Sequence, residues 1–537
     1  MVKKLNYNRL YIVLGPLALT APLTSFLGFY GIPLLSAEVV FLFAILILIG
    51  FMVGLVMALG GNLIQALISS GIIILLAFSE VDRSLLYLPG IRFRYVLLLS
   101  ILLVSLFLYF LREHRIRFLL IVFSSIWLAG WATPNQDITQ VSEKSNHLPD
   151  ASLPPYIHII LDEHIGVEGI PPAFDRNNKF SFELRNKYID QGFLVFGRAY
   201  SRFIDTVGSL SSSLNFQSSI SSADNSIDIK NVVGFRPVPV AGGSGVTGFR
   251  PNALFENLSK RGYIINAFSP NNFSYCDDGA TTTIRFGKCV IHGHGLKHFH
   301  NEFMILHNFM RKMRLLTMYA AIARVFGLQE INVTAFPGAF QTVVSVNEFI
   351  DFLGEGKRGN AYFIHLIISH SAYVFDEKCS YKDDWNFFKK LEMDETYARY
   401  LKQIQCSHVI VDKIINKLSS NPETQDSTII ISGDHGSRIS SSENNVDFFL
   451  SEEYIQFYST FFAVRSPSFF PGYDKRPFAL DELLKVFSPK EPNLLELKNK
   501  KEKFVYTLKG GTSTNRSQAY TRFTLPPFSN GSKVQSW

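Results

Sequence analysis

Two short acidic runs close apolar stretches of the sequence. One is Leu161-Asp162-Glu163-His164, after Tyr156–Leu161. The other is Ser432-Gly433-Asp434-His435-Gly436, after Ile429–Ile431. Apolar runs of this length bounded by turn residues read as buried strands, and a carboxylate that ends such a strand stands at the rim of a sheet, where it can point into a cleft. Adjacent Asp434 and His435, flanked by glycines, offer one oxygen and one nitrogen donor in a tight turn. Zinc accepts that mixture, and an open coordination position supports catalysis. A single Asp-His pair is more often structural; two acidic strand ends far apart in sequence carry more weight.

A third run, Tyr200-Ser201-Arg202-Phe203-Ile204-Asp205-Thr206-Val207-Gly208-Ser209-Leu210-Ser211-Ser212-Ser213-Leu214-Asn215, passes from a loop into a short helix. Leu210 and Leu214 are four apart and face a core, which puts Thr206 at or near the helix N-terminus. Free backbone N–H groups there favour an anion, such as a phosphate or a threonine alkoxide. The plainer alternative is a serine-rich loop with an ordinary helix cap, and the spacing leaves both open.

These residues need a scaffold. From Tyr156 onward, short apolar runs at Tyr156–Leu161, Phe193–Phe196, Tyr263–Phe268, Tyr362–Ile368 and Thr428–Ser432 alternate with helical stretches, notably Ala253–Lys260 and Tyr397–Leu418. That alternation predicts an α/β domain with a mostly parallel central sheet. Phe303–Leu328 is different: rich in Met, Leu and Phe, with Arg311, Lys312, Arg314 and Arg324, it reads as a core-packed amphipathic helix, the alternative being a helix on a membrane surface. His292, His294, His298 and His300 have metal-like spacing but no acidic neighbours or strand ends, and read as solvent-exposed.

Ahead of that domain the chain changes character. The whole is 47% hydrophobic with 18% charged residues, and the excess lies before Ala132. Spanning a hydrocarbon core takes about 20 apolar residues. Tyr11–Gly31, Leu35–Leu59, Ile64–Phe78, Tyr95–Leu111 and Phe118–Ala132 qualify or come close, which predicts an N-terminal α-helical transmembrane bundle of about five spans and excludes a lone signal peptide. Lys3, Lys4 and Arg9, and then Arg112, Arg115 and Arg117, fall on one side, so the N-terminus is expected in the cytoplasm and the large domain outside; Arg83, Arg92 and Arg94 count against that orientation. The expected layout is a helical domain over 1–133, a polar linker over 134–155, a catalytic domain over 156–490 and a C-terminal extension over 491–537 to which the sequence assigns no function. The net charge of +7 suits an anionic membrane surface and contains no run that argues for nucleic acid. Four cysteines in an exported domain suggest two disulfides; of the three pairings we take Cys276–Cys289 and Cys379–Cys406.

Read together, the LDEH run, the YSxxxDTxxSLSSSLN run, HLIISHSAY at 365–373 and SGDHGSR at 432–438 resemble the alkaline phosphatase and sulfatase superfamily. They are most similar to its membrane-anchored branch of phosphoethanolamine transferases and lipoteichoic acid synthases. The resemblance covers roughly Tyr156–Pro467. It implies Asp162 or Glu163 as the first metal ligand, Asp434 and His435 as the next two, and Thr206 as the nucleophile. It implies that His370 contacts the transferred group or protonates the leaving oxygen. For Arg438 it leaves an anionic-substrate contact beside a plain surface salt bridge. The chain departs from typical sulfatases in lacking the Cys/Ser-x-Pro-x-Arg motif that is converted to formylglycine, at its cysteines and in the serine-rich run alike.

The resemblance therefore implies a metal-dependent phosphoryl-group transferase of the cell envelope, on the extracytoplasmic side of the inner membrane. It would move a phosphoethanolamine- or phosphoglycerol-type headgroup from a membrane lipid donor to an envelope glycan or lipid acceptor through a phospho-threonine. Zn2+ is the expected ion, with Mn2+ next. The alternatives are a phosphodiesterase, phosphatase or sulfuric ester hydrolase on the same fold, and a degenerate domain that only binds an envelope component.

Overall fold

The computed structural model describes residues 2–30, 32–80, 93–132, 140–143, 148–216, 227–228, 235–239, 245–249, 252–270, 273–276, 283–292, 345–354, 356–371, 373–381, 391–439, 451–488, 503–508 and 519–525, with scattered positions between 305 and 343 and residues 497 and 528. The chain forms two compact units. One takes residues 1–137, 294–336 and 385–390; the other takes 138–293, 337–384 and 391–537.

The first unit contains helices α1 (Val2–Tyr30), α2 (Ala37–Leu59), α3 (Asn62–Glu80), α4 (Phe93–Phe110) and α5 (Arg115–Ala132). The five apolar segments are thus helical, but the expectation of about five spans is corrected. Among the described residues, two helices are long and apolar enough to cross a membrane, Arg9–Gly28 within α1 and Ala37–Leu59. Asn62–Ile74 and Leu99–Phe110 are apolar but shorter than the roughly 20 residues a hydrocarbon core needs.

Backbone contact joins α1 to α2. A Cβ added at Gly15 would come 2.0 Å from the Gly50 carbonyl oxygen, and one at Gly54 would come 2.5 Å from that of Tyr11. Small residues allow such approach where apolar surface alone cannot drive helices together. Buried Arg115 fastens the same end, donating Nε–H to the Tyr11 hydroxyl (2.9 Å), Nη1–H to the Asn62 carbonyl (3.0 Å) and Nη2–H to Gln65 Oε1. Of the expected helix over 303–328 six residues are described. Ile305, Phe309 and Met313, four apart, are buried, and the Phe309 ring meets Phe26 of α1 edge-on at 5.7 Å. His294, His298 and His300 lie outside the described residues.

The second unit is built on one sheet. Its strands are β1 (Gln140–Glu143), β2 (Tyr156–Leu161), β3 (Leu194–Phe196), β4 (Ile264–Pro270), β5 (Phe286–His292), β6 (Asn360–Leu366), β7 (Thr428–Gly433), β8 (Phe462–Arg465) and β9 (Gly472–Asp474). They lie in the order β1-β5-β4-β6-β2-β7-β8-β3-β9. The five central strands β5, β4, β6, β2 and β7 are parallel, while β1, β8 and β3 pair antiparallel to their inner neighbours. The mostly parallel α/β sheet is as the alternation of elements predicts. Central strands read as unbroken apolar runs because both faces are covered.

On one face Phe255, Phe363, Tyr156 and Leu258 form the main core. The other face receives helix α8 (Met393–Ser420), whose Tyr397, Tyr400 and Ile404 pack with Ile165. Helices α6 (Lys179–Asp190), α7 (Thr206–Leu214) and α9 (Leu480–Phe487) complete the parts used below. Beyond the sheet, β10 (Phe504–Leu508) and β11 (Ala519–Thr524) pair antiparallel. Cys276 is bonded to Cys289 and Cys379 to Cys406.

Candidate metal centre

Strand register brings the two acidic runs together. Leu161 of β2 pairs with Gly433 of β7 on one side and Leu366 of β6 on the other. Asp162 and Asp434 therefore leave adjacent parallel strands at their carboxyl ends, where α/β sheets collect ligands. Asp162, Asp434 and His435 each offer one donor atom within 4.8 Å of the others, and all three are buried.

Hydrogen bonding leaves those atoms open. The Gly436 carbonyl, 2.8 Å from His435 Nδ1, can only accept, so Nδ1 carries the proton and Nε2 presents a lone pair. Asp434 Oδ1 accepts the backbone N–H groups of Glu163 and His435, each at 2.8 Å. Asp434 Oδ2 and Asp162 Oδ1 are buried with no hydrogen-bond partner among the described residues, where such atoms normally find one. Burial and the Asp162 charge push Asp434 upward. Burial pushes Asp162 the same way, but His365, His370 and His435 outweigh it and hold its carboxyl well below the usual range. Two buried carboxylates with unspent lone pairs could hold a cation.

Thr206 opens α7, whose N-cap Asp205 accepts Gly208 N–H at 2.8 Å. Thr206 Oγ1 stands 3.4 Å from Asp162 Oδ2 and 3.4 Å from His435 Nε2, and His435 Nε2 is 3.5 Å from Asp434 Oδ2. A tetrahedral ion with bonds of about 2.0–2.2 Å separates its ligands by about 3.3–3.6 Å, and these three separations fall in that range. Ser209 ties α7 to the same turn: its hydroxyl donates to the Asp434 carbonyl and receives Ser201 Oγ–H at 2.7 Å.

Glu163 turns elsewhere. Its φ of 60°, uncommon for a non-glycine residue, carries its side chain away from the cluster. Glu163 Oε1 accepts the Arg438 backbone N–H (3.1 Å) and lies 3.4 Å from Arg438 Nε, while Oε2 accepts Ser371 N–H (3.3 Å) and lies 3.7 Å from His370 Nε2. Burial raises the Glu163 carboxyl, but Arg438, His370 and His435 win and hold it low. His370 Nδ1 donates to the Ser371 carbonyl (2.7 Å) and Nε2 accepts Arg438 Nη2–H (2.7 Å). Both side chains are partly exposed, 32% for His370 and 39% for Arg438, so they form the open edge of the site. The structure thus places Asp162, Asp434, His435 and Thr206 around one point, and Glu163, His370 and Arg438 beside it.

Three further histidines, to which the sequence gives no role, are buried here. His365, in the same HLIISHSAY run, has its side chain wholly buried with Nε2 3.3 Å from Asp162 Oδ2 and Nδ1 2.9 Å from the Tyr275 hydroxyl. His164 faces away from the cluster. Its Nδ1–H donates to the Ile165 carbonyl (2.8 Å), so its Nε2 accepts from His408 Nε2 (2.9 Å), and His408 Nδ1 accepts the Tyr188 hydroxyl (2.6 Å).

Residues 180–460 match the model of the sulfatase family, just over half of the chain. The chain belongs to the sulfatase family. Membership makes it an enzyme of sulfate or phosphate esters, and the family is metal-dependent. No curated protein matches the sequence. Among solved structures the sulfatase-family chain is similar to the zinc complex of the C-terminal periplasmic domain of EcEptC from Escherichia coli, at 14% identity and a TM-score of 0.37 over 71% of this chain and 95% of that one. It is also similar to lipoteichoic acid synthase LtaP from Listeria monocytogenes (13%, TM-score 0.36, 72% and 89%) and to the putative sulfatase yidJ from Bacteroides fragilis (15%, TM-score 0.39, 68% and 83%).

Proposed function

We propose that this sulfatase-family enzyme is a phosphoryl-group transferase of the cell envelope, working through a phospho-threonine on Thr206. The observation that carries the reading is the position of Thr206 Oγ1, 3.4 Å from both Asp162 Oδ2 and His435 Nε2. A hydroxyl is a weak nucleophile near neutral pH. A divalent ion held by Asp162, Asp434 and His435, zinc by its donor set and manganese next, would lower the hydroxyl pKa and offset charge on the phosphoryl oxygens.

The chain's own residues supply the rest. Thr206 Oγ attacks phosphorus and passes its proton to solvent as the O–P bond forms, while the bond from phosphorus to the lipid oxygen breaks and that oxygen takes up a proton. Thr206 stands at the N-terminal end of α7, where the helix dipole favours developing negative charge. His370 contacts the transferred group or gives a proton to the leaving oxygen, and Arg438 binds the anionic headgroup. An acceptor hydroxyl then attacks phosphorus, the Thr206 Oγ–P bond breaks, and Thr206 Oγ regains a proton to replace the one the acceptor loses.

In this reading residues 1–133 anchor the enzyme in the cell membrane, 134–155 link, 156–490 catalyse on the extracytoplasmic side, and 491–537 extend the catalytic domain. The outer surface of α2 fits lipid: Phe41, Leu48, Met52 and Val56 are exposed. Tethering keeps a lipid donor and a surface-bound acceptor at high effective concentration. A hydrolase, with water as acceptor, is the second reading; the missing formylglycine motif stands against sulfate esters by the usual route.

The test uses the purified full chain and a phospholipid labelled in its headgroup. Label on Thr206, found by mass spectrometry and absent in Thr206→Ala, supports the reading. Label on Ser209 would overturn the nucleophile, and free headgroup with no labelled acceptor would overturn the transferase.

A further inference from the structure

The C-terminal extension lies beyond the segment that matches the family, 180–460, yet β10 is built into the loop that delivers Thr206. The Arg202 carbonyl accepts Tyr506 N–H at 2.7 Å. Arg202 Nη1–H donates to the Phe504 carbonyl at 3.2 Å, and its guanidinium lies 4.3 Å from the centre of the Phe504 ring. Its Nε–H donates to Asp481 Oδ1 of α9 at 2.7 Å, both side chains being 2% exposed.

The next residue makes the link to the site. The Phe203 ring stacks on Tyr506, centroids 5.1 Å apart and planes at 20°. The ring also meets the first turn of α7, where a Cβ added at Gly208 would come 2.8 Å from it. Phe203 is therefore wedged between Tyr506 and the backbone two residues past Thr206. Tyr506 is fixed in turn: its carbonyl accepts the Tyr458 hydroxyl at 2.9 Å, and the Tyr458 carbonyl accepts Ser201 N–H at 2.7 Å.

From this we infer that β10 is a positioning element of the active site and that Tyr506, through Phe203, sets where Thr206 stands against Asp162 and His435. The inference rests on the reading of Thr206 as nucleophile. A helix of nine residues with four serines and a glycine has little stability of its own, so its first turn takes its place from what packs on it. A buried ion pair such as Arg202–Asp481 adds a fixed geometry more than net stability. Displacing a reacting atom by about 1 Å costs rate by about 100-fold, so a brace of this kind acts on turnover.

The experiment compares wild type, Tyr506→Ala, Tyr506→Phe and Thr206→Ala as zinc-loaded full chains in detergent. Amide hydrogen exchange is followed over 200–214, with β2 and β7 as internal controls, and turnover is followed on bis(p-nitrophenyl) phosphate. Tyr506→Ala is expected to speed exchange over 203–210 by about tenfold while β2 and β7 keep theirs. It is expected to lower kcat by about 10- to 100-fold with KM within about twofold, and Tyr506→Phe, which keeps the ring, matches wild type. Unchanged exchange over 203–210, an equal rise in β2 and β7, or a Tyr506→Phe protein as impaired as Tyr506→Ala overturns the brace. Thr206→Ala separates the two claims. If it keeps wild-type turnover the nucleophile reading falls, and the exchange data still judge the brace.

Discussion

Asp162 Oδ2 lies 3.3 Å from Nε2 of His365, and both side chains are buried. The other ring nitrogen, Nδ1, lies 2.9 Å from the Tyr275 hydroxyl. The Phe273 ring stacks on the imidazole at 5.4 Å, fixing its plane. Tyr275 precedes Cys276, which is bonded to Cys289 in β5. Partners that orient a ligating carboxylate set metal affinity, and losing one costs about 10- to 100-fold. His365→Leu is expected to weaken zinc binding by about that factor, and Tyr275→Phe by less. Competition against a chromophoric zinc chelator reads the change; unaltered affinity in His365→Leu would remove His365 from the centre.

Asp162 and Glu163 are adjacent yet face different partners, and this separates their mutants. Asp162→Asn removes charge from the group that includes Asp434 and His435 and is expected to abolish stoichiometric zinc binding. Glu163→Gln leaves those donors in place and loosens Arg438 and His370. It is expected to keep one zinc per chain and raise KM for an anionic substrate by about tenfold, the effect of one charge-assisted contact. Metal analysis by mass spectrometry distinguishes them, and loss of zinc in Glu163→Gln would refute this division of roles.

The pattern of legibility follows from these same residues. Strand ends were readable because an apolar run stops at Asp162 and Asp434, but the register that sets Leu161 beside Gly433 is a long-range property. The two neighbouring carboxylates Asp162 and Glu163 meet different partners, with φ 60° at Glu163, which no residue type announces. His365 sits inside a strand, where a histidine gives no sign of which neighbour it meets. The docking of β10 on Arg202 and Phe203 joins residues three hundred positions apart, which no local pattern announces. Five apolar segments read as spans, and two reach the length and hydropathy for it among the described residues.

Acid is expected to destabilise the catalytic domain through histidines that play no part in the metal centre. Burial, then the nearby His365, lowers His158 to about 3, and burial, then His164 and Lys187, holds His408 well below its usual value. Both bind protons more tightly when unfolded. Their contribution is fully present above the unfolded pKa near 6.5 and is lost as pH falls through that value towards the folded ones, at about 1.4 kcal/mol per pH unit for each. Thermal unfolding of the metal-free protein between pH 7.5 and 4.5 should show a falling Tm. His408→Gln should flatten the slope, and a Tm independent of pH over that range would contradict the burial of neutral histidines.

The helical unit offers a test of its packing that leaves the active site untouched. A Cβ at Gly50 would stand 2.4 Å from Pro16 Cα and 2.5 Å from Pro16 N. These are backbone atoms of α1, with no side chain to move aside. Gly50→Leu is expected to cost about 3 kcal/mol or more, beyond the usual range for overpacking, because both backbones must separate. Gly71, with nothing within 4 Å of its added Cβ, is the matched control. Fluorescence-detected size exclusion after heating in detergent should show Gly50→Leu aggregating at least several degrees below wild type and Gly71→Leu near it. Equal behaviour of the two variants would mean that α1 and α2 do not meet at Gly15 and Gly50. Turnover of bis(p-nitrophenyl) phosphate by Gly50→Leu below its aggregation temperature should match wild type, because the residues that hold and orient Thr206 all belong to the second compact unit.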